Sequence, residues 1–248
     1  MACSPTAAVA AIITGETATA SSQIGAPFNR VASHAVDNSG LSGGDNLAST
    51  ADQTHVRFPP NSTMWLSTGN GFGGVDPNPT FTVDLGAVYD VTGVRVFNYN
   101  EFNEPNGPDL TGRGVQAANV LVGQTAPTTP LGPITLAKAT GLANYTGRYF
   151  DLVALTGGPV RTRFFELDIQ SNWGGDNSFY GLSELQFDGT LVPEPAGLTM
   201  LAAAGFLLAG AAGSNRAWPG HPPFIAVVAE PVIAAESSPS LSLSPTRR

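Results

Sequence analysis

Apolar residues recur at every second position in run after run of this chain, and each run ends in a cluster of Gly, Pro, Asn or Asp. Residues 80–85 set Phe81, Val83 and Leu85 on one face and Thr82 and Asp84 on the other. Residues 91–99 place Val94 and Val96 opposite Arg95, Phe97 and Tyr99. Residues 115–122 read as a further strand, and 135–139 and 149–153 as shorter ones. Phe165, Leu167 and Ile169 share a face, as do Leu185 and Phe187. A side-chain period of two with turn residues between the runs predicts an all-β, antiparallel sandwich or jelly roll. No helical stripe precedes residue 197, and no internal repeat is evident.

Length and composition agree with that reading. The 248 residues make one domain plus tails, enough for a sizeable core. Charged residues are few, and Gly and Pro are plentiful, as in a turn-rich β fold. Lys138 is the only lysine, and the net charge is −8. Nucleic acid and anionic membranes both reward a basic face, so neither is expected as a partner. The acidic balance suits a secreted protein, one that binds a cation, or simple solubility. Cys3 is the only cysteine, which excludes an internal disulfide. In an exported protein, a bound metal is the natural substitute staple.

Four zones follow along the chain. Residues 1–14 contain an apolar run, 7–13, without a basic flank, and read as a possible remnant of a signal segment or as a start that lies further upstream. Residues 15–190 hold the strands. Residues 191–216 carry Val192-Pro193-Glu194-Pro195 and then an apolar run, 198–212. Residues 217–248 are rich in Pro and Ser and read as a disordered tail. Inside the second zone, the connection from 22 to 79 has little strand signal but much Asn, Asp, Ser and Gly. Irregular backbone of that length is usually functional or fixed by a ligand.

An ordered set of short motifs crosses the strand zone: Thr17 to Ser22, Ala35-Val36-Asp37-Asn38-Ser39-Gly40-Leu41, Thr63-Met64-Trp65-Leu66-Ser67, Phe81-Thr82-Val83-Asp84-Leu85-Gly86, and Gly181-Leu182-Ser183-Glu184-Leu185-Gln186-Phe187. Together they resemble the discoidin (coagulation factor 5/8 type C) domain, a galactose-binding-like jelly roll whose bacterial members include many carbohydrate-binding modules. The resemblance covers roughly residues 15–190. It implies a calcium ion in the first long loop, held by backbone carbonyls together with Asp37, Thr63 and Glu184. Calcium takes six to eight oxygens and would tie that loop to the closing strand. The alternative is that Asp37 caps a turn and Glu184 is a solvated strand residue. The stretch between Leu41 and Thr63 is longer than the family's compact loop. The same pattern implies that Trp65 packs beneath the loop as core.

The segment from Asp168 to Phe187 reads as strand, polar glycine-rich loop and closing strand, with Trp173 where the chain leaves the first strand. An aromatic ring offers an apolar face to the C–H side of a pyranose, while amides and carboxylates bond its hydroxyls. Trp173, Asn172 and Asp176 are therefore candidate sugar contacts; the competing role for Trp173 is packing over the sandwich rim. Asn98, Tyr99, Asn100 and Glu101 form a second amide- and carboxylate-rich loop at a strand end, able to converge on the same rim or to serve turn geometry. Arg113, between two glycines, is expected to make a structural salt bridge to one of these loops.

Residues 191–216 resemble the PEP-CTERM sorting signal of exopolysaccharide-producing bacteria: a Pro-Glu-Pro motif, an apolar helix, then positive charge. That implies export to the cell surface or extracellular matrix, transient anchoring in the membrane through the C-terminal helix, and processing by an exosortase-type enzyme. The apolar run is about 15 residues, short of the ~20 that span a bilayer untilted, and Arg216 is followed by a long tail instead of an arginine cluster.

Catalytic signatures are weak by comparison. Glu101 with Glu104, or Asp176 with Glu184, would have to serve as a glycosidase pair. His34 and His55 are isolated, and the glycine runs at 40–44 and 69–74 lack the lysine and helix of a phosphate loop. The expectation is a carbohydrate- or exopolysaccharide-binding domain without catalysis. The rivals are a structural or adhesion protein with protein partners and, less favoured, a glycan-cleaving enzyme.

Overall fold

The computed structural model describes residues 11–42, 54–55, 63–101, 109–142, 144–174 and 178–193. The chain divides between Glu194 and Pro195. The proposed apolar helix, the sorting segment beyond Pro193 and the tail lie outside the described residues, as do Met1–Ala10, Glu104 and Asp176.

In chain order the strands are β1 (Ala11–Ile12), β2 (Thr17–Ala20), β3 (Leu41–Ser42), β4 (Thr54–His55), β5 (Trp65–Leu66), β6 (Thr80–Asn98), β7 (Val115–Gly123), β8 (Thr129–Thr135), β9 (Arg148–Asp151), β10 (Val160–Asn172) and β11 (Gly181–Leu191). Every pairing between them is antiparallel. The 19-residue β6 organises the whole. Its first half pairs with β2 and β10, and β10 passes the sheet on to β7 and β8. Its second half pairs with β9 and β11, and β11 carries β5 and β1.

The two halves face each other across one core. Phe165 on β10 meets Phe187 on β11 edge-on at 5.2 Å although the strands are not neighbours, and Trp65 on β5 meets Phe81 on β6 at 4.9 Å. Phe81, Val83, Leu85, Val94, Val96 and Leu167 fill the space between. Aromatic pairs in this range add to what their buried area contributes. Trp65 is fully buried, and its indole N–H donates to the Ser22 carbonyl at 3.0 Å, which satisfies the one polar atom of the ring.

Three details depart from the sequence reading. The runs at 80–85 and 91–99 are one strand, joined through Gly86 at φ +80°, whose N–H donates to Asp84 Oδ1. The strand expected at 135–139 lies earlier, as β8. Residues 149–153 divide into β9 and a short helix, α1 (Leu152–Thr156). Asp151 Oδ1 accepts the Ala154 N–H as an N-cap, and Gly157 in the left-handed region closes the other end. A five-residue helix is too short to leave a periodic stripe.

Candidate functional site

At one end of the fold three loops enclose a pocket of about 160 Å³. The first loop is fixed where Ile24 and Arg30 pair: Arg30 N donates to Ile24 O at 2.7 Å, and Phe28 N and Asn29 N both donate to Gly25 O. Ile24 N donates to Leu66 O and Leu66 N to Arg30 O, so the loop hangs on β5. Phe28 stands at its tip, 48% exposed.

The second loop runs through Gly69 to Gly74. Phe72 N and Gly74 N donate to Gly69 O, while Gly71, Gly73 and Gly74 take positive φ. Gly69 is needed for another reason: a Cβ there would fall 2.4 Å from the Phe179 ring and 2.5 Å from Ser178 O. This tight coil lifts Phe72 into the mouth at 40% exposure. Phe72 meets Phe28 at 5.2 Å and Phe179 at 5.9 Å, both edge-on.

The third wall is polar. Glu101, just beyond the end of β6, accepts from Arg30 Nη2 at 2.9 Å on Oε1 and from the Tyr99 hydroxyl on Oε2, and Arg113 Nη1 stands 4.0 Å from that same Oε2. Arg113, at the end of the 3-10 turn Thr111–Arg113, lies 4.6 Å over the Phe179 ring, a cation–π position. Arg30 lies 5.8 Å over Tyr99. Burial pushes the Tyr99 phenol far up, and the Glu101 charge beside it adds to the rise, so Tyr99 remains a neutral donor. The result is a small cup of carbon with a braced carboxylate on one side.

The expected contacts divide. Glu101 lines this pocket. Tyr99 is fully buried beneath it and serves by bracing Glu101. Asn98 is 1% exposed: its Nδ2 donates to Val115 O and Ala137 O, and its Oδ1 accepts from Tyr99 N. Asn100 is fully buried, donating to Leu142 O and accepting from Gly141 N. Both asparagines bind backbone and face away from solvent. Of the two roles expected for them, the rim or turn geometry, they take one that serves the chain: a strand end covered by residues 137–142 and Tyr145 needs its polar groups for the backbone.

Asn172 does the same work, with Nδ2 donating to Phe179 O and Oδ1 accepting from Gly174 N. Trp173 is 37% exposed, and its indole N–H donates to Leu136 O at 3.1 Å. It does not line the cup. Phe28, Arg30, Phe72 and Phe179 are additions that the sequence reading did not single out. A signal existed for Phe72, an aromatic set alone among the glycines at 69–74.

The three residues expected around calcium come from segments that meet. β5 and β11 pair Leu66 with Gly181 and Trp65 with Leu182, and the members of this second pair lie two residues along the chain from Thr63 and from Glu184 respectively. Ser183 Oγ donates to Met64 Sδ at the same level. Glu184 is entirely buried, and Thr63 Oγ1 is buried with no hydrogen-bond partner among the described residues. The early loop is tied alongside, since Gln186 Nε2 donates to Asn38 Oδ1 at 2.7 Å. Asp37 itself turns elsewhere: Oδ2 meets His34 Nδ1 and Oδ1 accepts from Ser39 N, both at 2.9 Å. Among the described residues no three His, Cys, Asp or Glu side chains come together. The Glu184 carboxylate and the Thr63 hydroxyl each offer oxygen, the donor type that a hard cation takes.

No family model and no curated protein matches this chain. Among solved structures it is similar to a family 32 carbohydrate-binding module from C. perfringens NanJ in complex with galactose, at 16% identity over 73% of this chain and 99% of that one, with a TM-score of 0.42. It is also similar to the lectin-binding domain of Lectinolysin complexed with Lewis b, at 16% identity over 72% and 94%, TM-score 0.46. An F5/8 type C domain from Bacteroides fragilis is similar at 13% identity over 74% and 98%, TM-score 0.46. Likenesses at this level carry no weight for the site.

Proposed function

We propose that this chain is a non-catalytic carbohydrate-binding domain of an exported protein, and that the cup walled by Phe28, Phe72, Phe179, Arg30, Glu101 and Arg113 is its ligand site. The observation that carries the reading is the pairing of half-exposed aromatic rings with one fixed charge cluster. Sugars have apolar C–H faces and hydroxyl edges, and such a cup offers a surface to each. Glu101 is held by Arg30 and Tyr99, so it acts as a stationary acceptor for hydroxyls, and binding rather than bond cleavage is the role that suits it. The test is a panel of neutral and acidic polysaccharides in affinity electrophoresis with the full chain. Retardation by at least one is expected; no retardation by any would end this reading.

Calcium belongs to the same proposal. Glu184 and Thr63, with backbone carbonyls of the Asp37 loop, would hold the ion, and its charge would offset the burial of Glu184. It would brace the early loop against β11. A chelator is then expected to lower the melting temperature and readdition of calcium to restore it; an unchanged midpoint counts against the ion. Export and sorting through residues 191–216, with membrane anchoring and exosortase-type processing, rest on the Pro-Glu-Pro motif and the apolar run. Fractionation of cells carrying Glu194→Ala tests them, with retention of the protein expected in place of its release.

A further inference from the structure

The coil that carries Phe72 holds a pair of residues with chemistry of its own. We propose that Asn70 and Gly71 form a self-modifying site, at which Asn70 loses ammonia to become aspartate or isoaspartate and the isoaspartate form frees Phe72 from its aromatic neighbours. The chemistry rests on the coil alone; only its effect on a glycan rests on the carbohydrate-binding reading.

Asn70 and Gly71 are the central residues of the turn that Phe72 N closes on Gly69 O at 2.8 Å. Both are exposed. Neither the Asn70 side-chain amide nor the Gly71 N–H has a hydrogen-bond partner among the described residues. Gly71 has no side chain to shield its nitrogen, and the space around the position of a Cβ is empty to 4 Å. These are the conditions for ring closure. Gly71 N gives its proton to hydroxide and bonds to Asn70 Cγ. The Cγ–Nδ2 bond breaks, and the amide nitrogen leaves as ammonia with a proton from water, which restores the hydroxide. Water then opens the cyclic imide at either carbonyl. Breaking the new Cγ–N bond gives aspartate; breaking the original C–N bond gives isoaspartate, with the main chain running through Cβ and Cγ.

The setting of the pair decides the consequence. The base of the coil is clamped, since Thr68 N donates to Ser22 Oγ, and Ser21 and Ser22 both donate to Asp76 Oδ2. Isoaspartate lengthens the main chain by one carbon between those clamps, and either product adds a negative charge. The extra carbon enters the turn that holds Phe72 against Phe28 and Phe179. Phe72 therefore shifts, while the clamps and the sandwich behind them stay.

The experiment ages the full-length protein at mildly alkaline pH, folded and in parallel unfolded in urea. Peptide mass spectrometry with isoaspartyl methyltransferase labelling reads position 70. A gain of about 1 Da there is expected in the folded chain, at a rate within about tenfold of the unfolded one. Asn70→Gln should lose the gain. Conversion in the folded chain slower than that overturns the inference, because the fold then protects the pair. NMR contacts between the Phe72 ring and those of Phe28 and Phe179 are expected to vanish in the isoaspartyl chain, with the melting temperature moved by under about 2 °C. Retained ring contacts overturn the freeing of Phe72. Affinity electrophoresis, in gels with and without polysaccharide to allow for the new charge, should show retardation weakened about tenfold. Undiminished retardation overturns the effect on binding. A fresh chain that no polysaccharide retards ends the carbohydrate reading alone, since the mass gain and the lost ring contacts support the inference without it.

Discussion

The cup and the Trp173 loop hold the same kinds of residue and use them in opposite ways. Around Trp173 the polar atoms are turned on the backbone: the indole N–H on Leu136 O, and the Asn172 amide on Phe179 O and Gly174 N. In the cup the polar side chains are turned on one another, Arg30 on Glu101 and Tyr99 on Glu101, and the rings stand open above them. Side chains bonded to backbone fix a loop. Side chains bonded to each other build a surface of set charge and shape. On the proposed reading, recognition belongs to the cup and support to the loop.

The sharpest way to break that division is at the brackets themselves. Asn98→Ala removes the side-chain partner of the buried Val115 carbonyl, the buried Tyr99 N–H and the part-buried Ala137 carbonyl. The loss expected is about 3 kcal/mol of stability, or roughly 6–12 °C in melting temperature for a domain of this size. Calorimetry of the variant measures it, and a shift of under about 2 °C would show that Asn98 is not structural. Gly69→Ala should destabilise by about 1–3 kcal/mol, because the added Cβ meets the Phe179 ring and the Ser178 carbonyl. Here glycan affinity falls along with the melting point, since Phe179 is part of the wall.

The contrast is most direct in a pair of aromatic deletions. Phe72→Ala is expected to weaken glycan binding about tenfold with little change in melting. Trp173→Ala should change affinity less than about threefold. A reversed order would return the ligand to the Trp173 rim.

The smallest effect is on acid stability and involves neither region. Asp84 is held below the ordinary carboxylate range by the two-pronged bond from Arg163, against a smaller upward push from burial. Burial pushes Asp76 up most, yet the bonds from Ser21, Ser22 and Asn78 N–H together outweigh it and lower it overall. A carboxyl lowered in the folded state adds stability above its unfolded value of 3.8 and loses it as pH falls through the folded value. Melting temperature should therefore hold from neutrality to about pH 5 and decline below about pH 4. Asp76→Asn should flatten that decline, and an unaltered slope would show that Asp76 takes no part in it.

Much of the fold was legible in the residues because alternation is a local property. Phe81, Val83 and Leu85 declare a strand and its buried face wherever they occur. The fusion of two runs into β6 was not legible, since Gly86 reads as a turn and acts as a link. Nor was the burial of Phe97 beside Val96. Both faces of that strand are covered, the outer one by Tyr145, 6.2 Å away edge-on, and Ala139. Of the candidate site, Glu101 was picked out because a carboxylate at a strand end is conspicuous. Phe28, Arg30 and Phe72 were not, because their meaning lies in one another.

The sequence by itself determined an antiparallel β fold: its period of two allows the apolar residues to be buried together only in strands, and the intervening turn residues reverse the chain. It also singled out Glu101, which lines the pocket at the end of β6. Only tertiary structure decided which polar groups face outward. That choice depends on which backbone atoms a neighbouring loop leaves unsatisfied, and residues from positions 28, 72, 101 and 179 become neighbours only when the sheet closes.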